Sequence, residues 1–238
     1  MFARLTAMGK SGYLLDLPVT GYHQAHELQL AVVNACHSGR LGHDVVMMLE
    51  HPPVFTMGRR GGQDNLLISP ARLEEAGINI VKIERGGDIT YHGPGQLVVY
   101  VLMRLKDRGI GVADFVALLE TAMVRTVTHW DISARGDRTN RGAWTGRRKL
   151  GSVGITVRRG ITFHGLALNV GTDLTPFQWI NPCGLKGCEM TSLQQEAGRP
   201  VEMSAVRRQM AWHISELFEM GLTHIGLDDL LKRLEYGD

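Results

Sequence analysis

Residues 85–96 read Arg-Gly-Gly-Asp-Ile-Thr-Tyr-His-Gly-Pro-Gly-Gln. Of all parts of the chain, the residue types of this stretch are explained least by the requirements of folding alone. Four glycines and a proline lie between two apolar runs, so we expect a bent backbone with few side chains. Glycine is used where φ must be positive or where a ligand approaches the main chain closely. The dense polar side chains of the same stretch favour a cradle for a substrate. A bulged hairpin with a solvated tip is the alternative.

The pattern of apolar residues around this stretch predicts a mixture of strands and helices. Period-two and β-rich runs predict strands at 13–17, 45–49, 54–57, 78–83 and 96–102, and a hairpin of 152–158 with 161–169 through Arg159-Gly160. Helical spacing predicts helices over 22–38, between Ser69-Pro70 and Gly77, over 115–129, from Val206 to a stop at Gly221, and over 227–234. Residues 1–20 form an initial segment that contains the first strand. We therefore expect an α/β (α+β) fold, a mixed sheet with flanking helices in a single domain over 1–238.

The composition of the 238 residues is that of an ordinary globular protein, with 44% hydrophobic and 21% charged residues. A formal net charge of +2 gives no general reason to expect a nucleic-acid partner. The N-terminus has no signal-peptide pattern, and no apolar run approaches the roughly 18 residues of a membrane helix. We therefore expect a soluble, cytoplasmic protein with no membrane partner.

One local cluster of positive charge stands out against this balanced composition. It comprises Arg135, Arg138, Arg141, Arg147, Arg148 and Lys149, and Arg158 and Arg159 continue it. Such a run is either a solvated surface or a docking site for an acidic partner, and the sequence does not choose between them.

The three cysteines, Cys36, Cys183 and Cys188, include no CxxC pair, which argues against a disulfide framework and against a zinc ribbon. Cys183 lies in Asn181-Pro182-Cys183-Gly184, where a tight turn would hold a thiol rigid and accessible, as a nucleophile requires. A structural free cysteine is the alternative. No GxxxxGK[ST], no GxGxxG between a strand and a helix and no GxSxG is present, so no nucleotide cofactor is expected.

A catalytic thiol needs a neighbouring cation or base, because a free cysteine is only a few per cent thiolate at neutral pH. The candidates are Lys149, His92 and His164. Both histidines precede a glycine, which suggests that two strand ends converge on one site. The alternative is that each histidine has only a structural role, which is the commoner role for a histidine. His23 and His26 have a spacing that could bind metal, but no HExxH-like carboxylate pattern accompanies them, so no metal is expected.

Four blocks of this sequence resemble one known family. They are Arg85–Gln96, Lys149-Leu150-Gly151-Ser152-Val153-Gly154, Phe163-His164-Gly165-Leu166-Ala167-Leu168-Asn169 and Pro182-Cys183-Gly184. Together they resemble the signatures of the octanoyl-[acyl-carrier-protein]:protein N-octanoyltransferases, and the resemblance extends from about Tyr13 to Leu217 in the family's order. The segment Asp137–Trp144 and the second thiol, Cys188, are not accounted for by it.

The resemblance implies the catalytic-domain fold of biotin and lipoate protein ligases. It implies transfer of an octanoyl group from acyl carrier protein to a lysine of lipoyl domains, those of 2-oxoacid dehydrogenase E2 subunits and of the glycine cleavage H protein. By matching position it implies Cys183 as the thioester-forming nucleophile and Lys149 as the lysine that lowers the pKa of that thiol. The implied acyl-binding residues are Arg85, Gly86, Gly87, Asp88, Ile89, Thr90, Tyr91, His92, Ser152, Val153, Gly154, Gly165, Leu166 and Ala167.

Two other functions remain open at this stage. An ATP-dependent lipoate or biotin ligase of the same fold would activate a free acid as an adenylate and would need no nucleophilic cysteine. A non-catalytic module would bind acyl carrier protein through the basic cluster of 135–159 without transferring an acyl group.

Overall fold

The fold is built on an eight-stranded mixed sheet with helices on both faces, in a computed structural model that describes residues 10–238. The first nine residues of the initial segment lie outside the described part of the chain. The strands are β1 (Ser11–Val19), β2 (Asp44–Glu50), β3 (Val54–Met57), β4 (Asn79–Lys82), β5 (Ile89–His92), β6 (Gln96–Leu102), β7 (Arg135–Gly136), β8 (Gly142–Thr145), β9 (Arg148–Arg158), β10 (Ile161–Asn169) and β11 (Gly221–His224). The helices are α1 (Tyr22–Ser38), α2 (Pro70–Glu75), α3 (Val112–Thr128), α4 (Leu193–Ala197), α5 (Met203–Leu217) and α6 (Leu227–Tyr236).

The large sheet has the strand order β11-β1-β2-β6-β10-β9-β8-β7. Strand β1 runs parallel to both of its neighbours, whereas the pairs from β2 to β7 are antiparallel, so the sheet is mixed. The mixed sheet with flanking helices expected from the sequence is therefore confirmed. Period-two alternation divides its core: one apolar cluster joins the sheet to α3 and α5, and the other joins it to α1 and α6.

A second sheet of three strands, in the order β4-β3-β5, covers a third apolar cluster. It contains part of the quoted stretch, because Ile89–His92 forms β5 and pairs antiparallel with β3. The bends lie on either side of β5, at residues 84–88 and at Pro94-Gly95, so the expectation of a bare, bent backbone was wrong for the four positions of β5. The strand matters for function because it fixes the direction of every side chain between Asp88 and His92.

Most predicted elements lie where the sequence placed them, and the differences are local. Helix α3 begins at Val112, three residues before the predicted start, and Gly221 opens β11 instead of ending α5. Strands β7, β8 and β11 and helix α4 were not predicted. None of the helices described between residues 10 and 238 is long and apolar enough to cross a membrane.

Candidate active site

A cavity of about 580 Å3 lies where the two sheets meet. The residues along it come from the segment before β5, from β5 itself, from the facing stretches of β9 and β10 and from the turn at 182–184. Of the fourteen implied acyl-binding residues, twelve line this cavity, together with both implied catalytic residues, Cys183 and Lys149. Four blocks that are far apart in the sequence thus contribute to one cavity.

The two implied binding residues that do not line the cavity are Ile89 and Tyr91. Alternation along β5 turns them away from it, into the core of the smaller sheet, where Tyr91 packs against Phe55 and Phe177. Thr90 and His92 face the cavity from the same strand. The structure therefore corrects the sequence interpretation of Ile89 and Tyr91 as substrate contacts, since strand geometry allows only every second side chain on one face.

Arg85 is a buried cation at the edge of this cavity. Its Nη2 donates to the carbonyl of Thr56 at 2.6 Å and to its hydroxyl at 2.9 Å, and Nη1 donates to the carbonyl of Gly86 at 3.0 Å. Its Nε is buried without a hydrogen-bond partner, and no carboxylate pairs with it among residues 10–238. Burial lowers the pKa of Arg85, and the sulfur of Cys183 lies near enough to oppose that effect. This guanidinium is a further cation near the thiol, in addition to the Lys149, His92 and His164 candidates that the sequence offered.

Cys183 has a left-handed backbone, with a φ of 59°, in the turn at 182–184. It lies between Pro182, whose ring restricts φ, and Gly184, which has a positive φ of 76°. Such a conformation costs a non-glycine residue roughly 1–3 kcal/mol, and active sites are among the places where it persists. The thiol is half-buried, and its Sγ lies 3.8 Å from the Oγ of Ser152 on β9. A rigid, partly accessible thiol is the presentation that the sequence predicted for a nucleophile.

Asn65 fixes this turn against the neighbouring strand. Its Nδ2 donates to Asp88 Oδ2 at 2.7 Å, and its Oδ1 accepts from Asn181 Nδ2 at 3.2 Å. The backbone N–H of Asn181 donates to the Asn65 carbonyl at 2.9 Å, and Asp88 Oδ1 accepts from the N–H of Ile89 at 2.6 Å. Asp88 is thus a bracing residue for the cysteine turn. Asn65 also lines the cavity, although no sequence motif singled it out.

Lys149 on β9 is almost fully buried, with 1% of its surface exposed. Its Nζ donates to the carbonyl of Arg141 at 2.9 Å and to that of Asn140 at 3.4 Å, and it lies 4.9 Å from the ring centre of Trp144. All three partners belong to the segment Asp137–Trp144, which the family resemblance did not account for. This segment therefore holds the amine in place.

The two histidines that precede glycines both line the cavity, but in different ways. His92 ends β5, donates from Nδ1 to Gln96 Oε1 at 2.7 Å, and accepts at Nε2 from Thr56 Oγ1 at 3.3 Å. Burial lowers its pKa to about 3, so it is a neutral ring with both nitrogens occupied. His164 lies in the middle of β10, not at a strand end, and the predicted convergence of two strand ends is correct only for His92.

The walls from β9 and β10 supply Ser152, Val153, Gly154, Leu166 and Ala167 to the cavity. Gly165, another of the implied acyl-binding residues, precedes Leu166 on β10. A Cβ at Gly165 would lie 2.0 Å from the carbonyl oxygen of Val99 on β6. This glycine is needed for close pairing of two strands, not for space in the cavity.

Tyr22 and Tyr100 also line the cavity, and the sequence analysis missed both. The Tyr100 hydroxyl donates to Nε2 of the fully buried His51, whose Nδ1 donates to the carbonyl of Thr20, each at 2.7 Å. Tyrosines inside an apolar strand or at a helix start look like ordinary core residues. The one local signal for this group in the sequence is His51 in Glu50-His51-Pro52-Pro53, a polar residue that directly follows an apolar strand.

The basic cluster divides into paired and unpaired arginines. Arg141 pairs with Glu120 at 3.0 Å, Arg148 with Glu196 at 2.8 Å and Arg135 with Asp137 at 3.2 Å, while Lys149 is not on the surface. Within the described residues, Arg138, Arg147, Arg158 and Arg159 are exposed and have no carboxylate within ion-pair distance, although Arg159 donates to Asn34 Oδ1 at 3.2 Å. The unpaired positive surface of the cluster consists of these four arginines.

Comparison with known proteins gives one family. Residues 21–215 match the lipoyl protein ligase A/B catalytic domain. Proteins named octanoyltransferase from Desulfotalea psychrophila and Syntrophobacter fumaroxidans are 46% and 42% identical over 208 and 215 residues, which cover 87% and 89% of this chain and 93% and 92% of theirs. The bipartite lipoate protein ligase of Thermoplasma acidophilum, solved in a study with its E2 lipoyl domain, superposes with a TM-score of 0.74 at 16% identity, covering 95% of this chain and 91% of that one.

Proposed function

The chain belongs to the lipoyl protein ligase A/B catalytic-domain family and catalyses octanoyl transfer in protein lipoylation, and we propose that it does so through a thioester on Cys183. The donor in this proposal is octanoyl-acyl carrier protein. The acceptor is a lysine of a lipoyl domain, in 2-oxoacid dehydrogenase E2 subunits and in the glycine cleavage H protein. No cofactor takes part.

The observation that carries this proposal is the shared cavity of Cys183 and Lys149. Apolar side chains of Val98, Val153 and Leu166 line the same space and offer a surface for an alkyl chain. Burying methylenes there contributes about 0.8 kcal/mol each, so an eight-carbon chain gains most of its binding energy from this wall. One cavity thus offers a nucleophile, a buried amine and an apolar slot.

The environments of the three thiols favour Cys183 as the reacting one. Burial raises the pKa of Cys36 to about 12, and Cys36 does not line the cavity. Burial also raises the pKa of Cys188, although the positive charge of Lys149 partly lowers it. Cys188 does not line the cavity either. A raised pKa disfavours the thiolate, which is the nucleophilic form.

In the first step, the Cys183 thiolate attacks the carbonyl carbon of the octanoyl thioester. The carbon–sulfur bond to the carrier breaks, the leaving thiolate takes a proton from the Lys149 ammonium, and the octanoyl group remains on Sγ, so Lys149 is left as a neutral amine. Thioester exchange between two thiols is nearly thermoneutral and therefore needs no ATP. Lys149 as an ammonium and the unpaired guanidinium of Arg85 both supply positive charge that favours the thiolate.

In the second step, the amine of the lipoyl-domain lysine attacks the acyl-enzyme, an amide bond forms, and Cys183 leaves as the thiolate. The attacking amine must lose a proton, and Lys149 is the base that accepts it once the neutral thioester has replaced the thiolate beside it. Two N–H groups of Lys149 are already held by the carbonyls of Asn140 and Arg141. Its third position on nitrogen remains for the proton in transit.

Intact-mass measurement tests the acyl-enzyme directly. Incubation with octanoyl-acyl carrier protein should add one octanoyl group, and hydroxylamine should remove it, because thioesters are labile to this nucleophile. Cys183→Ser should show no hydroxylamine-labile adduct, whereas Cys188→Ser, the matched control in the same loop, should form it normally. An adduct that requires Cys188 would contradict the assignment.

The same preparation distinguishes this mechanism from an ATP-dependent ligase. Octanoylation of a lipoyl domain should proceed from octanoyl-acyl carrier protein without ATP. ATP-dependent use of free octanoate that survives Cys183→Ala would instead support activation of the acid as an adenylate.

A further inference from the structure

Three side chains that commonly bind metals meet beside the cavity, and the acyl transfer described above gives none of them a chemical role. They are His26 of α1, Glu84 just before the quoted stretch and His164 of β10. Nε2 of His26 lies 3.1 Å from Oε2 of Glu84, and Nε2 of His164 lies 4.0 Å from the same oxygen. All three ligand atoms lie within 4.8 Å of one another.

His164 is directed into this group at an energetic cost. Its side chain is only 2% exposed, and its Nε2 is buried without a hydrogen-bond partner. Its backbone has a left-handed φ of 61° in the middle of a strand, and its N–H is satisfied by Oε1 of Gln29 at 2.7 Å. An unpaired buried polar atom and a left-handed backbone are both unfavourable, so such a residue calls for a ligand or another functional explanation.

The donor atoms of this group suit a transition metal. A neutral imidazole nitrogen and a carboxylate oxygen are both donors that zinc and its neighbours in the first transition series accept.

We propose that His26, Glu84 and His164 bind a divalent transition-metal ion of the zinc class, with water at the fourth position. A tetrahedral ion with bonds of about 2.1 Å would hold its ligand atoms about 3.4 Å apart. The two separations from the Glu84 oxygen, 3.1 and 4.0 Å, lie on either side of this value, and the separation of the two histidine nitrogens is at most 4.8 Å, so side-chain movements of about an ångström bring these atoms into place. The proposal goes beyond octanoyl transfer and assigns the ion no step in it.

A bound ion would join three parts of the fold. It would connect α1, β10 and the segment that enters β5, and the last of these carries Arg85 and Asp88 into the cavity. His164 lines the cavity as well, so the ion would lie against the cavity wall. The expected effect is tighter attachment of the glycine-rich segment to the large sheet.

Cobalt titration of the purified full chain tests the site without using activity. Co2+ should bind one equivalent and give the visible absorption of a tetrahedral ion with nitrogen and oxygen ligands, with no thiolate-to-cobalt charge-transfer band. It should also raise the melting temperature, since a ligand that binds only the folded state stabilises it. Loss of a residue that only supports a metal ligand lowers metal affinity by roughly tenfold or more. His26→Ala and Glu84→Gln each remove a ligand, so the cobalt affinity should fall by more than this.

His23→Ala is the matched control, because His23 is exposed on the same helix three residues earlier. It should bind cobalt as the unaltered protein does. His26 and Glu84 are partly exposed, so both variants should keep the apo melting temperature close to the unaltered value. No bound cobalt, equal affinity in His26→Ala, or a thiolate band that disappears in Cys183→Ser would overturn the proposal and leave a hydrogen-bonded histidine–glutamate pair.

Discussion

Lys149 donates a hydrogen bond from its buried amine to the backbone carbonyl of Arg141, 2.9 Å away and eight residues earlier in the chain. Arg141 directly precedes β8, and Lys149 is on β9, which pairs antiparallel with β8. The hydrogen bond therefore links the side chain of one strand of this hairpin to the main chain at the start of the other. The position of the amine is therefore fixed by main-chain atoms, which a substitution of Arg141 leaves in place.

The first prediction concerns the amine itself. Lys149→Met keeps a long side chain in the buried site but removes the cation and the base, so octanoyl transfer should fall by about 10²–10⁴-fold. Two carbonyls lose their donor, and the free energy of unfolding should decrease by about 1–3 kcal/mol. Transfer assays and urea unfolding measure both effects. Lys186→Met, an exposed lysine in the cysteine loop, should change neither quantity, and an active Lys149→Met enzyme would argue against the proposed role.

A second prediction concerns the support of the cysteine turn. Asn65→Ala removes the hydrogen bonds that join Asp88 and Asn181, so the turn should hold Cys183 less firmly. Acyl-enzyme formation should slow by about tenfold or more, because small misplacements of a reacting group are costly. The rate is followed by intact mass over time. The neighbouring exposed Asp64→Ala should react at the unaltered rate, and equal rates for both variants would show that the network does not position the thiol.

The third prediction is a loss of stability in mild acid. Burial lowers the pKa of His51 to about 4 and that of His92 to about 3, whereas both rings titrate near 6.5 in the unfolded chain. Between pH 6.5 and about 4 the unfolded state binds protons that the folded state does not, so stability falls as the pH falls. From pH 7 to 5 each ring should cost about 2 kcal/mol.

Urea unfolding at the two pH values measures this loss. His92→Gln removes one of the buried rings whose pKa is lowered, so its stability should depend on pH less steeply than that of the unaltered protein, whatever its stability at pH 7. An unchanged pH dependence in this variant would mean that His92 is protonated in the folded state.

The fourth prediction concerns the unpaired arginines near the cavity. Arg138 and Arg147 are exposed close to the segment that holds Lys149, and we expect them to attract an acidic carrier protein. Reversing both to Glu should raise KM for octanoyl-acyl carrier protein by about tenfold at low salt, with a smaller effect at high salt. KM for a small octanoyl thioester should not change. Arg158→Glu, at the other end of β9, serves as the control charge reversal.

The sequence predicted those elements whose cause is local. Helix α1 has the predicted bounds and ends at Gly39 with a left-handed φ of 75°. The turn at Arg159-Gly160 joins β9 and β10 with positive φ at both residues, 55° and 79°, as tight hairpins require. In both cases a short pattern of residue types contains all the information that the local structure needs.

Elements with distant partners were the ones that the sequence did not predict. Strand β11 pairs in parallel with β1, and Ser11 lies opposite Gly221, a partner more than two hundred residues away. Within the site, Cys183 and Lys149 were found through motifs, whereas Asn65 and Tyr100 were missed. Their roles depend on which distant atoms reach them, and nothing in their sequence neighbours indicates this.

The left-handed backbone at Cys183 has a consequence for how this protein can be improved. Glycine would adopt that conformation with less strain, so a search for more stable variants will tend to replace the proposed nucleophile. His164 has the same left-handed φ, and glycine there would remove a proposed metal ligand. Backbone strain and the proposed roles are selected in opposite directions at these two positions, and a library designed for heat resistance should leave both unchanged.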